Sequence, residues 1–139
     1  MTATLNPQSA LIYVMVIVSA SDARMSDAEL HAIGDIVRSA RVFEGFDENK
    51  IIPVSGECAA ILQEREGLIA ALGLVKEALS PHLRETAYCL ALDIALADAP
   101  VLPEENRILQ RLRTEFEIDR LVAAALERAA IARHHRVTA

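Results

Sequence analysis

A chain of 139 residues that is 53% hydrophobic, 24% charged and only 4% aromatic has enough material for one compact domain with an aliphatic core. Its formal net charge of −6, with no run rich in Lys or Arg, argues against nucleic acid or an anionic membrane as the main partner, because clustered positive charge recognises both. Cys58 and Cys89 form neither a CxxC motif nor a zinc-ligand spacing, so both read as reduced, packed thiols of a cytoplasmic protein.

The first predicted helix has Asn6 as its cap and Pro7 at its first position, and runs through LIYVMVIVS to about Ser19. The run resembles the apolar part of a secretory signal, but its leader MTATLNPQSA carries no Lys or Arg, and a similar segment returns in mid-chain at 87–97. It is also shorter than the roughly 20 residues that span a bilayer. Both segments are expected to be buried core helices, and no integral membrane segment is expected. Ser26-Asp27-Ala28-Glu29 reads as a capping box that opens a second helix, with Leu30, Ile33, Ile36 and Val37 on its apolar stripe out to about Ser39.

The segment 41–50 is the longest predicted loop, with Phe43 and Phe46 as plugs that seal it onto the core. Helices follow over about 54–63, 67–79 and 81–97, the last with Ser80 as cap and Pro81 in its first turn. Pro103, with Glu104 and Glu105 behind it, starts a helix to about Glu115. Asp119 caps a last one to about Arg133, before a basic tail at about 134–139 that is expected to be flexible. No stretch combines alternation with β-branched enrichment, so the expected fold is all-α: one domain over 1–139, a bundle of about seven helices.

The chain also repeats itself. Asp22 and Glu29 recur as Asp98 and Glu105 at the same offset of 76 residues, and the apolar stripes coincide, Leu11 with Ala87, Val14 with Leu90, Val18 with Ile94 and Ile33 with Leu109. The pattern implies a pseudo-twofold internal duplication, two supersecondary units that bury their apolar faces against each other, with function where the acidic turns lie.

The paired segments SASDARMSDAEL and ALADAPVLPEENRIL, with LRETAYCLALDIA leading into the second, resemble the TerB and TerB-like family of tellurite-resistance-associated proteins over roughly 11–126. The resemblance implies an all-helical fold built by duplication around central buried helices, an acidic cluster that binds divalent metal, and a part in stress responses rather than a known reaction. Carried onto this sequence it implicates Asp22 and Glu29 in the first turn and Asp98 and Glu105 in the second. The chain departs from the family's Asp-Gly at each turn, having Asp22-Ala23 and Asp98-Ala99, and Leu102 stands where the first turn has Ser26.

Hard divalent cations take several oxygen ligands, so Asp22, Asp27 and Glu29 could converge on an ion with Asp98, Glu104 and Glu105, with calcium or magnesium ahead of zinc. The plain alternative is that Asp27, Glu29, Glu104 and Glu105 only complement helix dipoles. Asp22 and Asp98 sit at helix C-termini, where a dipole disfavours negative charge, so that alternative does not cover them.

Other chemistries lack their motifs. There is no HExxH, GxxxxGK, GxGxxG or paired Glu-x-x-His, so no organic cofactor is expected. His31 and Asp35 read as a surface pair, Tyr88 and Cys89 as core residues, and His134 and His135 as a solvated end. The expected function is a non-enzymatic binding or adaptor module with a divalent cation on its acidic face and an as yet unidentified protein partner. A metal-dependent hydrolase using the same carboxylates and a metal-free helical interaction domain are the alternatives. Homodimerisation is compatible with the aliphatic content, though no motif fixes it.

Overall fold

The computed structural model describes residues 5–20, 27–97 and 101–137. Among them are seven α-helices and no strand, so the chain is all-α as expected. The helices are α1 (Pro7–Ser19), α2 (Asp27–Ser39), α3 (Ile51–Gln63), α4 (Gly67–Ala78), α5 (Pro81–Ala97), α6 (Pro103–Glu115) and α7 (Arg120–Arg133).

The helix starts follow from local chemistry. Asn6 Oδ1 accepts the Ser9 N–H at 2.9 Å, and Pro7 takes the first helical position, where no donor is needed. Asp119 Oδ2 accepts from the N–H groups of Leu121 and Val122 at 3.0 and 3.3 Å and so opens α7. The Ser80 carbonyl receives the first turn of α5 from Arg84 N–H at 2.9 Å. The capping role expected of Ser26 lies outside the described residues.

α1 is the centre of the molecule. Every residue from Ala10 to Val18 is at most 3% exposed, because α3, α4, α5, α6 and α2 pack round it on all sides. α5 is the second central helix, packed against α1 and burying Ala87, Tyr88, Leu90, Ala91, Leu92, Ile94 and Ala95. The remaining packing is crossed: α2 lies on α5, and α6 lies on α1 as well as on α5. α3 covers α1, whereas α7 covers α5.

Two details differ from the sequence reading. The segment 41–50 is not a plain loop but two 3-10 turns, Arg41–Phe43 and Glu48–Lys50, joined through Gly45, whose φ of 81° suits glycine. As expected, Phe43 is buried, and it meets Phe46 edge to face with centroids 5.8 Å apart. Gln8 Nε2 donates to the carbonyls of Val42 and Glu44 at 3.2 and 3.1 Å, which pins the segment to the start of α1. α3 begins at Ile51 rather than near Val54, since Pro53 falls within the first turn, where its missing N–H breaks no helical bond.

Two close turns set the remaining angles. A Cβ on Gly67 would lie 2.0 Å from the Ile61 carbonyl oxygen, so the α3–α4 corner admits only glycine there. α6 ends in a Schellman motif in which Ile118 N–H reaches Arg113 O and Glu117 N–H reaches Thr114 O, with Glu117 in the left-handed region at φ 54°. This turn reverses the chain into α7 within four residues.

Because α1 has no solvent face, Leu11→Ala is expected to destabilise the fold by about 2–5 kcal/mol in urea unfolding. Leu121→Ala, at a residue 81% exposed, is expected to change stability by no more than about 0.5 kcal/mol.

Candidate functional site

The acidic residues singled out from the sequence fall at two helix starts. Asp27 is exposed and Glu29 half-buried in the first turn of α2; Glu104 is exposed and Glu105 half-buried in the first turn of α6. Leu102 has no side-chain acceptor, so only half of a capping box forms at α6, with Glu105 Oε1 accepting the Leu102 N–H at 2.9 Å. Pro103 at the first helical position removes one donor that would otherwise want a partner. Asp22 and Asp98 lie outside the described residues. Among the described residues no three His, Cys, Asp or Glu side chains gather as a metal-ligand group. Ser19, three residues before Asp22, is 3% exposed, and its Oγ has no hydrogen-bond partner among the described residues.

A second constellation was not anticipated. Tyr88 of α5 is fully buried in the aliphatic run, yet its hydroxyl emerges between α6 and α7. It donates to Glu127 Oε2 and accepts from Arg113 Nη1 at 2.9 Å, and the same Nη1 donates to Glu127 Oε2 at 2.7 Å. Burial pushes the Tyr88 hydroxyl up to about 12, and the Glu127 carboxylate beside it pushes the same way against the opposing pull of Arg113. The three residues come from three helices and lie 14 to 39 positions apart in sequence. The only sequence signal was a tyrosine inside an aliphatic helix, which needs a partner for its hydroxyl.

This triad separates two cavities. α6 and α7 pack on α5 more than on each other, leaving an open cleft of about 680 Å³ between the end of α6 and the start of α7, with Arg113, Arg120, Glu117, Asp119 and Glu127 along it. On the other side of Arg113 and Glu127 is a pocket of about 180 Å³ walled by Leu92, Leu96, Val101, Leu109 and Ile131, with Tyr88 and Asn106 at its polar edge.

The remaining candidates are quiet. Cys58 is buried, its Sγ lies 3.7 Å from the Tyr13 carbonyl, and burial pushes the thiol up to about 12, where it is not a nucleophile. Cys89 is half-buried and is also pushed up, by burial first and Asp93 second; both cysteines are free. His31 and Asp35 form the expected exposed pair at 3.3 Å. The tail is held at its start, since Asp93 Oδ1 takes both Arg133 Nη2 at 3.0 Å and His134 Nε2 at 3.1 Å.

The chain matches the family of tellurite resistance protein TerB over residues 8–129, a span that reaches into all seven helices and includes both acidic helix starts. The chain belongs to the TerB family. No curated protein and no solved structure matches it. Membership makes this a tellurite-resistance-associated helical domain, and no helix among the described residues of this TerB-family chain is long and apolar enough to cross a membrane.

Tyr88 gives the chain a test in alkali. A hydroxyl whose pKa is raised on folding contributes stability that is complete below its ordinary value of 10.0 and is lost as pH rises toward about 12. Cys58 adds a similar loss that begins lower, near its ordinary 9.0. Tyr88→Phe is therefore expected to cost about 1 kcal/mol at pH 7, and the gap to wild type should close as denaturant melts are taken from pH 9 to 12.

Proposed function

We propose that this TerB-family domain binds a divalent cation through its two acidic turns, with Asp22, Asp27 and Glu29 from the first and Asp98, Glu104 and Glu105 from the second. It then serves as a non-enzymatic adaptor in a tellurite-linked stress response. The observation that supports this reading most is the crossed packing: α2 rests on α5 and α6 rests on α1, while α1 and α5 rest on each other. The acid-bearing helices are thus held in one frame by the two central helices that lead into the turns. Glu105 is oriented by its bond to Leu102 N–H, which fixes one carboxylate at the helix start before any ion arrives. Ser19 Oγ adds a further hard oxygen close in sequence to Asp22.

Calcium or magnesium fits such a set better than zinc, because carboxylate and hydroxyl oxygens are hard donors and calcium tolerates irregular coordination. With a net charge of −6, the adaptor's natural partner is a basic protein surface, whose approach an acidic face favours electrostatically.

Thermal unfolding of metal-stripped protein titrated with calcium, magnesium, manganese and zinc tests the reading. A selective ion at about 100-fold over its Kd is expected to add about 2.7 kcal/mol of stability. The Asp22→Asn/Asp98→Asn double variant should fold and lose that gain. No response to any ion would mean that the acids serve only to cap helices, leaving a metal-free helical interaction domain.

A further inference from the structure

We infer that the pocket among α5, α6 and α7 binds a small neutral phenol. Its volume of about 180 Å³ suits a single aromatic ring. Enclosed cavities of ~150 Å³ lined by Leu and Ile accept benzene, so a space of this size among aliphatic side chains holds one ring. Here Leu92, Leu96, Val101, Leu109 and Ile131 supply such a lining, and Leu96, Val101 and Ile131 at the mouth are partly open to solvent.

Charge and hydrogen bonding select the class of ligand. Among the described residues, Arg113 and Glu127 are the only charged side chains on the pocket wall, and they pair with each other at 2.7 Å. An ionised ligand would gain no net counter-charge from this pair and would give up part of its hydration on settling among the aliphatic side chains. The pair nonetheless keeps capacity for one neutral group. Among the described residues, both bonds of the Arg113 guanidinium use Nη1, leaving Nε and Nη2 without partners; Glu127 uses Oε2 and leaves Oε1.

The structure already shows which group this pair takes. The Tyr88 hydroxyl donates a hydrogen bond to Glu127 and accepts one from Arg113. A second phenol in the pocket can repeat that pairing with Oε1 and with Nη2 or Nε. A hydrocarbon would leave these groups unanswered, and a carboxylate would face Glu127 with a like charge.

The test is a methyl NMR titration of the whole protein with p-cresol, toluene and 4-methylbenzoate. p-Cresol is expected to move the methyl signals of Leu92, Leu96, Leu109 and Ile131 along one saturable curve, with the other two at least about tenfold weaker. Val101→Trp, which fills the mouth from a half-buried position, should abolish the shifts while thermal unfolding shows the fold intact; Ile131→Trp serves if that variant unfolds. The inference is overturned if p-cresol leaves these methyls unmoved up to its solubility, if toluene or the carboxylate binds as tightly, or if the shifts survive in a folded filled variant.

Discussion

A helix with no face to water is the constraint from which the rest of this fold follows. From Ala10 to Val18, α1 presents aliphatic side chains, with one Tyr and one Met, in every direction, and such a helix is stable only if other elements enclose it completely. Five helices do so, and α5 supplies the largest share of the cover together with α3. Because α5 is itself largely buried, the two central helices form the packed centre of the molecule. Everything else in the molecule is a shell around that pair.

The shell is not equally tight. On one side the segment 41–50, with its Phe43–Phe46 contact, packs against both α2 and α3 and is tied to α1 through Gln8. On the other side the connection between α6 and α7 is only Phe116 to Asp119, and an open cleft lies between the end of α6 and the start of α7. Side chains cross that gap. Tyr88, Arg113 and Glu127 bridge it, with a cavity on either side of the bridge. The same central pair thus supports α2 and α6, whose first turns are acidic, and a polar-edged pocket on the flank of α5.

Much of this was legible in the sequence, for reasons that can be named. Local chemistry decides helix ends, and Asn6 with Pro7, Pro81, Pro103 and Asp119 each marked a start that the structure confirms. The burial of the two apolar runs followed from their composition alone. α3 starts three residues before the expected position, with Pro53 sitting harmlessly inside its first turn. What the sequence could not show were the contacts between distant positions. Tyr88, Arg113 and Glu127 belong to three helices, and nothing in the spacing of one helix records its angle to the next. The clasp of Asp93 on Arg133 and His134 was hidden in the same way, so the tail begins held rather than loose. Of the six acids proposed as metal ligands, the four at helix starts lie where their sequence neighbours implied. Asp22 and Asp98 stand outside the described residues and the four described acids do not by themselves gather as a ligand group, so the proposed convergence of the two turns rests on the repeat and on the crossed packing.

That convergence is the central claim, and paramagnetic broadening by manganese addresses it without any mutation. Substoichiometric Mn2+ added to isotopically labelled protein should erase the amide signals of Asp27 and Glu29 together with those of Glu104 and Glu105. Those of Ile52 and Leu121, exposed on α3 and α7, should stay sharp. Loss at one turn alone would contradict a shared site, and weak, uniform broadening across scattered surface carboxylates would contradict a cation site altogether.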